Sequence, residues 1–392
     1  MEGCPSGLRS TLGKRVYRKV PWVQIPPLPF FYGEVAEWLK AIASKAILPE
    51  MVTGVRILPS PYLILCYNSL MLKYGTDGWY AVISDDFTMD NVAKAARAAA
   101  IFLIRHHLQD KPLVVGYDTR FLSDKFAATM VRSFTDGGLN CLLVERETPV
   151  PVVAWEVKDR GAAVGLVVTG ACLPFEQNGL RLIATGGRPL TLEEAKEVDM
   201  YLFLERSTLN ANVPSANLLA YQEGVSFMRS APKGTESRFE PRERYLKYLH
   251  SQINGDRIKQ ASLKIVVDPL YGATRGYFDR FLQELGCRVT AIHDHRDVLF
   301  GGQDPMPVGE NLLELQAKVL DQGANFGLAL CPSGERLGLV DQQGTFHAEG
   351  ELLPRIMTYA SREKGLSQAD LKGNALLAGA LLVEMAAAKI VL

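Results

Sequence analysis

Cysteine is scarce and unpatterned in this sequence: Cys4, Cys66, Cys141, Cys172, Cys287 and Cys331 are six in 392 residues, with no C-x-x-C pair and no grouping with the six histidines. That excludes a disulfide-stapled secreted scaffold and the common zinc patterns, and it leads us to expect free thiols in a reducing cytoplasm. Long apolar runs are missing too. Ala98 to Ile104 and Leu376 to Val383 are the longest candidates, far below the ~18 residues that a membrane-spanning helix needs. Neither sign of charge is in excess, with 43 basic residues against 43 acidic, so nothing favours a nucleic-acid or membrane-surface partner. What is present is an ordinary globular composition, 47% hydrophobic and 22% charged, on a chain long enough for two or three cored domains.

Residues 1–70 set themselves apart. They carry Lys and Arg beside few acids and a scatter of prolines (Pro26, Pro27, Pro29, Pro59, Pro61), with no helical or strand periodicity. A weak echo links Val23-Gln24-Ile25-Pro26-Pro27 to Val55-Arg56-Ile57-Leu58-Pro59. A basic, acid-poor start fits an organelle transit peptide, but those are Ser-rich and lack a proline cluster. The phrases GCPSGLRSTLGKR and GEVAEWLKAIASKAILPEMVTGVRILPSP resemble conceptual translations of tandem tRNA genes. The expectation is a non-domain segment, with the biological start nearer Met71.

Beyond it, strands and helices alternate. A helix is expected from Met89 to His107, with Asp90 in its first turn and the helix-favouring body VAKAARAAAIFLI. A strand at Leu113 to Val115, a helix from Ser123 to about Gly137, a strand at Leu139 to Val144, a helix at Pro151 to Arg160 and a strand at Ala163 to Val168 follow. Residues 207–240 dissolve into Ser, Asn, Pro and Gly and are expected to be a linker. Then the alternation resumes, with strands at Leu263 to Val267, Arg288 to Ile292, Phe326 to Leu330 and Leu337 to Val340 and helices between them. This is α/β organisation in consecutive α/β/α sandwiches with largely parallel sheets.

Six stretches carry a resemblance: YGTDGWYAVISDDFT, VVGYDTRFLSDKFA, Gly165 to Arg181, VVDPLYGATRGYFDRFLQELGCRV, FGGQDPMPVGENL and Leu328 to Val340. In this order the chain resembles the α-D-phosphohexomutases, the phosphoglucomutases and phosphomannomutases, over nearly everything after Leu72. The resemblance implies a first domain at 71–206, a second at 241–345 and the start of a truncated third at 346–392. It also implies a reaction. A phosphoserine in a loop close to T-A-S-H-N-P exchanges phosphate with the two ends of a hexose phosphate, and magnesium is held by that group and by three aspartates of a D-G-D-x-D-R loop. A hydroxyl carries the phosphoryl group, and hard carboxylate oxygens suit a small hard cation.

The departures fall at the chemistry. Thr169-Gly170-Ala171-Cys172-Leu173-Pro174 puts Ala171 at the serine position, with Asn178 and Gly179 keeping the register. Cys331-Pro332-Ser333-Gly334-Glu335-Arg336 puts Cys331, Ser333 and Glu335 at the metal positions, with Arg336 adjacent. Tyr80 stands where the family usually has arginine, and Arg181 where it often has lysine. Asp118 and Arg120, at the C-terminal end of a strand, are expected either to meet a ligand or to form a structural ion pair. The third-domain G-E-x-S-G loop and the fourth-domain phosphate-gripping loop do not occur in the sequence. The expectation is a chain with little or no mutase activity and no tight magnesium site. The alternatives are an active phosphosugar mutase, with a relocated nucleophile at Thr169 or Ser333 or with an incomplete record, and a non-catalytic partner that pairs with a complete mutase paralogue. His293 and His295 are expected to be loop residues and not a metal pair, and Gly272 and Gly276 either cradle a phosphate or pack closely.

Overall fold

The computed structural model of the protein describes residues 74–206 and 215–390. The expectations for residues 1–70 lie outside them. The chain runs through β1 (Trp79–Val82), α1 (Met89–Arg105), β2 (Leu113–Tyr117), α2 (Ser123–Asp136), β3 (Cys141–Val144), α3 (Val150–Arg160), β4 (Val164–Val168), β5 (Gln177–Ala184), β6 (Arg188–Pro189) and α4 (Leu192–Arg206). Further along come α5 (Ser215–Ser230) and β7 (Glu236–Phe239). Thr88 caps α1 by accepting a hydrogen bond from the Asn91 amide, and Asp90 sits in the positive first turn.

These strands make one sheet in the order β1-β5-β4-β2-β3-β7, with β6 paired to β5. Its centre is apolar on both faces because helices cover both. Leu113, Val115, Leu166 and Val168 pack with α1, α2 and α4, while Val114, Val167 and Ile183 pack with α3. Strands β2, β3, β4 and β7 are parallel, but β5 runs antiparallel to β4, β1 and β6. The sheet is therefore mixed, where a largely parallel one was expected. The reason is local: β4 returns as a hairpin into β5, which needs no crossover helix.

The second half continues with α6 (Arg242–Gln252), α7 (Gly255–Ala261), β8 (Lys264–Asp268), α8 (Phe278–Glu284), β9 (Arg288–Ala291), α9 (Leu313–Gln322), β10 (Phe326–Leu330), β11 (Leu337–Asp341), β12 (Phe346–Ala348), α10 (Glu349–Lys364), α11 (Gln368–Leu371) and α12 (Ala375–Ala387). Its sheet has the order β12-β11-β10-β8-β9, parallel among β10, β8 and β9 and antiparallel at β11 and β12. Ile265, Val267, Leu328 and Leu330 face a core shared with α6, α8, α10 and α12. The opposite face packs on α9.

Two expectations change here. Within the expected linker, the described residues 215–240 are structured, since α5 packs Ala220 into the first core and β7 extends the first sheet beside β3. Residues after 346 also join the second sheet's core: α12 is buried along most of its length, and its one acid, Glu384, is paired with Lys364 at 2.9 Å. No described helix is long and apolar enough to cross a membrane.

Candidate functional site

The turn between β4 and β5 is held from outside by one side chain. Arg120 is fully buried, and its guanidinium donates to the carbonyl oxygens of Pro174 at 2.7 Å, Gln177 at 3.0 Å, Ala171 at 3.1 Å and Leu173 at 2.7 Å. Asp118 balances its charge, with Oδ2 at 3.2 Å from Nε. Asp118 Oδ1 also accepts from the Arg120 amide and the Ser123 hydroxyl, and Asn178 donates to that hydroxyl. Burial pulls the Arg120 guanidinium below its usual range, while Asp118 works the other way. Asp118, Arg120 and Asn178 thus hold the loop, and none of them lines the cavity beside it. Gly170 is required by this arrangement: a Cβ there would lie 2.5 Å from the Arg120 side chain.

Ala171 occupies the expected nucleophile position with φ of 51°, the left-handed region that disfavours a residue with a Cβ. Its amide donates to Thr169 Oγ1 at 3.0 Å, so the Thr169 hydroxyl is engaged inside the turn, and Thr169 is fully buried. Gly179 pairs with Tyr80 across β5 and β1, and a Cβ at Gly179 would meet the Tyr80 ring at 2.2 Å. The Tyr80 hydroxyl donates to the Asp77 carbonyl at 2.7 Å, and burial pushes its phenol up to about 12, so it carries no charge near neutral pH.

The second loop follows β10. The Cys331 amide donates to the Arg336 carbonyl at 3.0 Å and the Gly334 amide to the Cys331 carbonyl at 2.8 Å, which closes a tight turn. Inside it, Cys331 Sγ is 3.3 Å from Ser333 Oγ and accepts from the Arg336 amide at 3.4 Å. The Cys172 thiol of the first loop is held well above its ordinary range, by the neighbouring Cys331 first and by burial second. Burial also pushes Cys331 up, but its neighbours Cys172 and Ser333 outweigh it and bring the thiol down to about 7. Glu335 points to Arg181 of β5, and the two form a close ion pair with only 9% and 16% of their side chains exposed. Burial raises the Glu335 carboxyl and Arg181 opposes that rise. For Arg181, burial lowers, but the facing Glu335 together with Tyr80 and Asp77 more than offsets it.

Both loops open onto a cavity of about 840 Å³ that Tyr80, Ala171, Cys172, Arg181, Glu335 and Arg336 help to line. Of the thirteen site residues singled out in the sequence, these six line the cavity, and Asp118, Arg120, Thr169, Asn178, Gly179, Cys331 and Ser333 do not. Sequence reasoning missed Asp77, Glu349, Met357 and Lys372 on the same wall. Lys372 follows the four-residue helix α11, where no motif marks it. The magnesium of the family does not suit this donor set. Its single carboxylate is neutralised by Arg181, and the remaining positions offer a thiol and a hydroxyl bonded to each other. Among the described residues no group of three or more His, Cys, Asp or Glu is arranged to hold a metal ion. His293 bonds to Asp268 through Nδ1 and to Glu314 through Nε2. Gly272 approaches Pro332 so closely that a Cβ would lie 2.2 Å from its Cα, and Gly276 has φ of 69°, so both glycines answer to backbone geometry.

Comparison with known proteins follows the same line. Residues 71–207 match the model for phosphoglucomutase/phosphomannomutase α/β/α domain I, and residues 243–344 match the model for domain II. The chain is similar to the phosphoglucosamine mutase of Neisseria meningitidis serogroup C, 28% identical over 76% of this chain and 63% of that one. It is also similar to the phosphoglucosamine mutase of Escherichia coli, 29% identical over 80% of this chain and 63% of that one. It thus spans less than two thirds of the length of these relatives. In fold it is similar to the crystal structure of a phosphomannomutase-type protein from Thermus thermophilus, at 22% identity and a TM-score of 0.69, covering 81% of this chain and 80% of that one. Two domain models matched in order, together covering more than half of the sequence, show that the chain belongs to the phosphoglucomutase/phosphomannomutase family of α-D-phosphohexomutases.

Proposed function

We propose that this chain is a phosphohexomutase-fold protein with little or no mutase activity, resident in the cytoplasm, which keeps weak affinity for a sugar phosphate or similar anion in the cavity between its two loops. The observation that carries the reading is the methyl group of Ala171 at the centre of a turn whose backbone is otherwise intact. A methyl group cannot accept a phosphoryl group. The two candidate replacements are engaged elsewhere: Thr169 Oγ1 accepts from the Ala171 amide, and Ser333 Oγ lies against Cys331 Sγ with the residue 1% exposed. Of the cationic side chains on the cavity wall, Arg181 is paired with Glu335 and Arg336 with Glu349, so Lys372 is the group that would favour an anionic occupant. The hexosamine phosphates named by the phosphoglucosamine mutases are the substrate class to try first.

The test is a single reversion. Ala171→Ser, incubated with a hexose 1,6-bisphosphate and magnesium, is expected to show neither a phosphate adduct by intact mass nor coupled turnover of hexose 1-phosphate. The restored hydroxyl would still face an uncharged Tyr80 and a carboxylate already neutralised by Arg181. A stoichiometric adduct with measurable turnover would show that the rest of the site is competent and would overturn the reading.

A further inference from the structure

We propose that the cavity of about 840 Å³ between the two loops is a binding site for a short apolar peptide with both termini free, its ammonium on Asp77 and its carboxylate on Lys372. This goes beyond the function proposed above, because the occupant carries neither sugar nor phosphate. Three observations carry it. The first is charge. The wall bears six charged side chains, of which Arg181 pairs with Glu335, and Arg336 with Glu349 at 3.5 Å. The two left over are Asp77 and Lys372, both exposed and neither in an ion pair among the described residues. They have opposite sign and come from different parts of the chain, Asp77 from the turn before β1 and Lys372 from the end of α11. The full charge complement of such a wall is a zwitterion.

The second is the apolar part of the wall, made by Leu173, Leu190, Met306, Leu353, Met357 and Leu371. Leu353 and Met357 stand one turn apart on α10 and share a face. Leu173, Met306 and Leu353 are half-buried with no place in the apolar cores. Apolar side chains of an occupant would take that surface out of water, whereas the hydroxyls of a sugar ring would find few partners along it. The third is room with spare polar groups. The cavity falls within the roughly 300–1,000 Å³ of small-molecule sites, enough for a peptide of about two residues. The side chains of Thr76 and Gln368 on the same wall make no hydrogen bond among the described residues, which leaves them for the peptide group.

The experiment titrates the full chain with dileucine by calorimetry and repeats the titration with N-acetyl-dileucine, dileucine amide, diserine and glucosamine 6-phosphate. Dileucine is expected to saturate a single site. Removing its ammonium by acetylation, or its carboxylate by amidation, should weaken binding about fivefold each. Diserine, with both termini but no apolar side chains, should bind about tenfold more weakly. Asp77→Asn should weaken dileucine and leave N-acetyl-dileucine unchanged, and Lys372→Met should weaken dileucine and leave dileucine amide unchanged. Both side chains are exposed and outside any ion pair among the described residues, so neither substitution threatens the fold. Glucosamine 6-phosphate, a zwitterion without an apolar body, should bind more weakly than dileucine. No saturable binding of dileucine, equal affinity for capped and free peptides, or tighter binding of diserine or glucosamine 6-phosphate would overturn the proposal. Binding of the sugar phosphate without binding of the peptide would do so while leaving the function proposed above intact.

Discussion

Arg181 and Glu335 come from different sheets and neutralise each other at low exposure, so each depends on its partner more than on solvent. Removing one leaves a buried charge alone. Arg181→Met is expected to destabilise the protein by about 3–5 kcal/mol in urea melts, and the double variant Arg181→Met with Glu335→Leu by much less, because two apolar groups leave no uncompensated charge. Additive losses would mean that the pair is not coupled. His293 supplies the pH dependence. Its hydrogen bond to buried Asp268 raises its pKa above the ordinary value, against the opposing effect of burial. A raised folded-state value means that the stabilisation is fully present below the unfolded pKa of about 6.5 and is lost as pH rises through the higher folded value. The stabilisation from His293, read as the difference in melting temperature between the unmutated protein and His293→Gln, should therefore shrink as pH increases above about 6.5, with Glu314 on the other ring nitrogen sharing in the effect. Parallel curves for the two proteins would count against the assignment.

At the scale of elements, the contact to test is that between the loop after β8 and the loop after β10. Gly272 lies where any side chain would press on Pro332, whose backbone cannot yield without disturbing Cys331. Gly272→Ala is expected to cost about 1–3 kcal/mol by overpacking, measured as a drop in urea midpoint with an unchanged slope; a neutral substitution would show that the loop has room. Elements with strong local signals were legible in the sequence. The Ala-rich body of α1, with Thr88 and Asp90 at its start, and the Val runs of β2 and β4 appear within two residues of where they were expected. Those without such signals were not. β7, Glu236–Phe239, is a largely exposed edge strand with no apolar alternation to announce it. α5 has Gly224 within it, which looks like a breaker until the structure shows Ile101 filling the space above it. β5 opens on Asn178-Gly179, a pair that signals a turn. The loops that make the site were identified by their motifs, but the role of Arg120 was hidden. Its partners are carbonyl oxygens some fifty residues away, and carbonyls leave no mark in a sequence.

For the molecule as a whole, the two sheets place their loops against each other, and what fills that junction is side-chain charge already balanced. Magnesium is therefore expected to leave the melting temperature where it is. A micromolar site in the presence of thousandfold excess metal would add about 4 kcal/mol and raise the midpoint by several degrees; such a rise, absent in Glu335→Ala, would contradict the mismatch of donors described above. The way Arg120 collects its carbonyls has a consequence for descent. Every group it holds in the Ala171 turn belongs to the main chain, so the turn keeps its form whichever small residue stands at position 171. Selection for a folded protein is then blind to which small side chain stands there. A lineage can exchange that side chain in one step and go on inheriting the architecture undamaged.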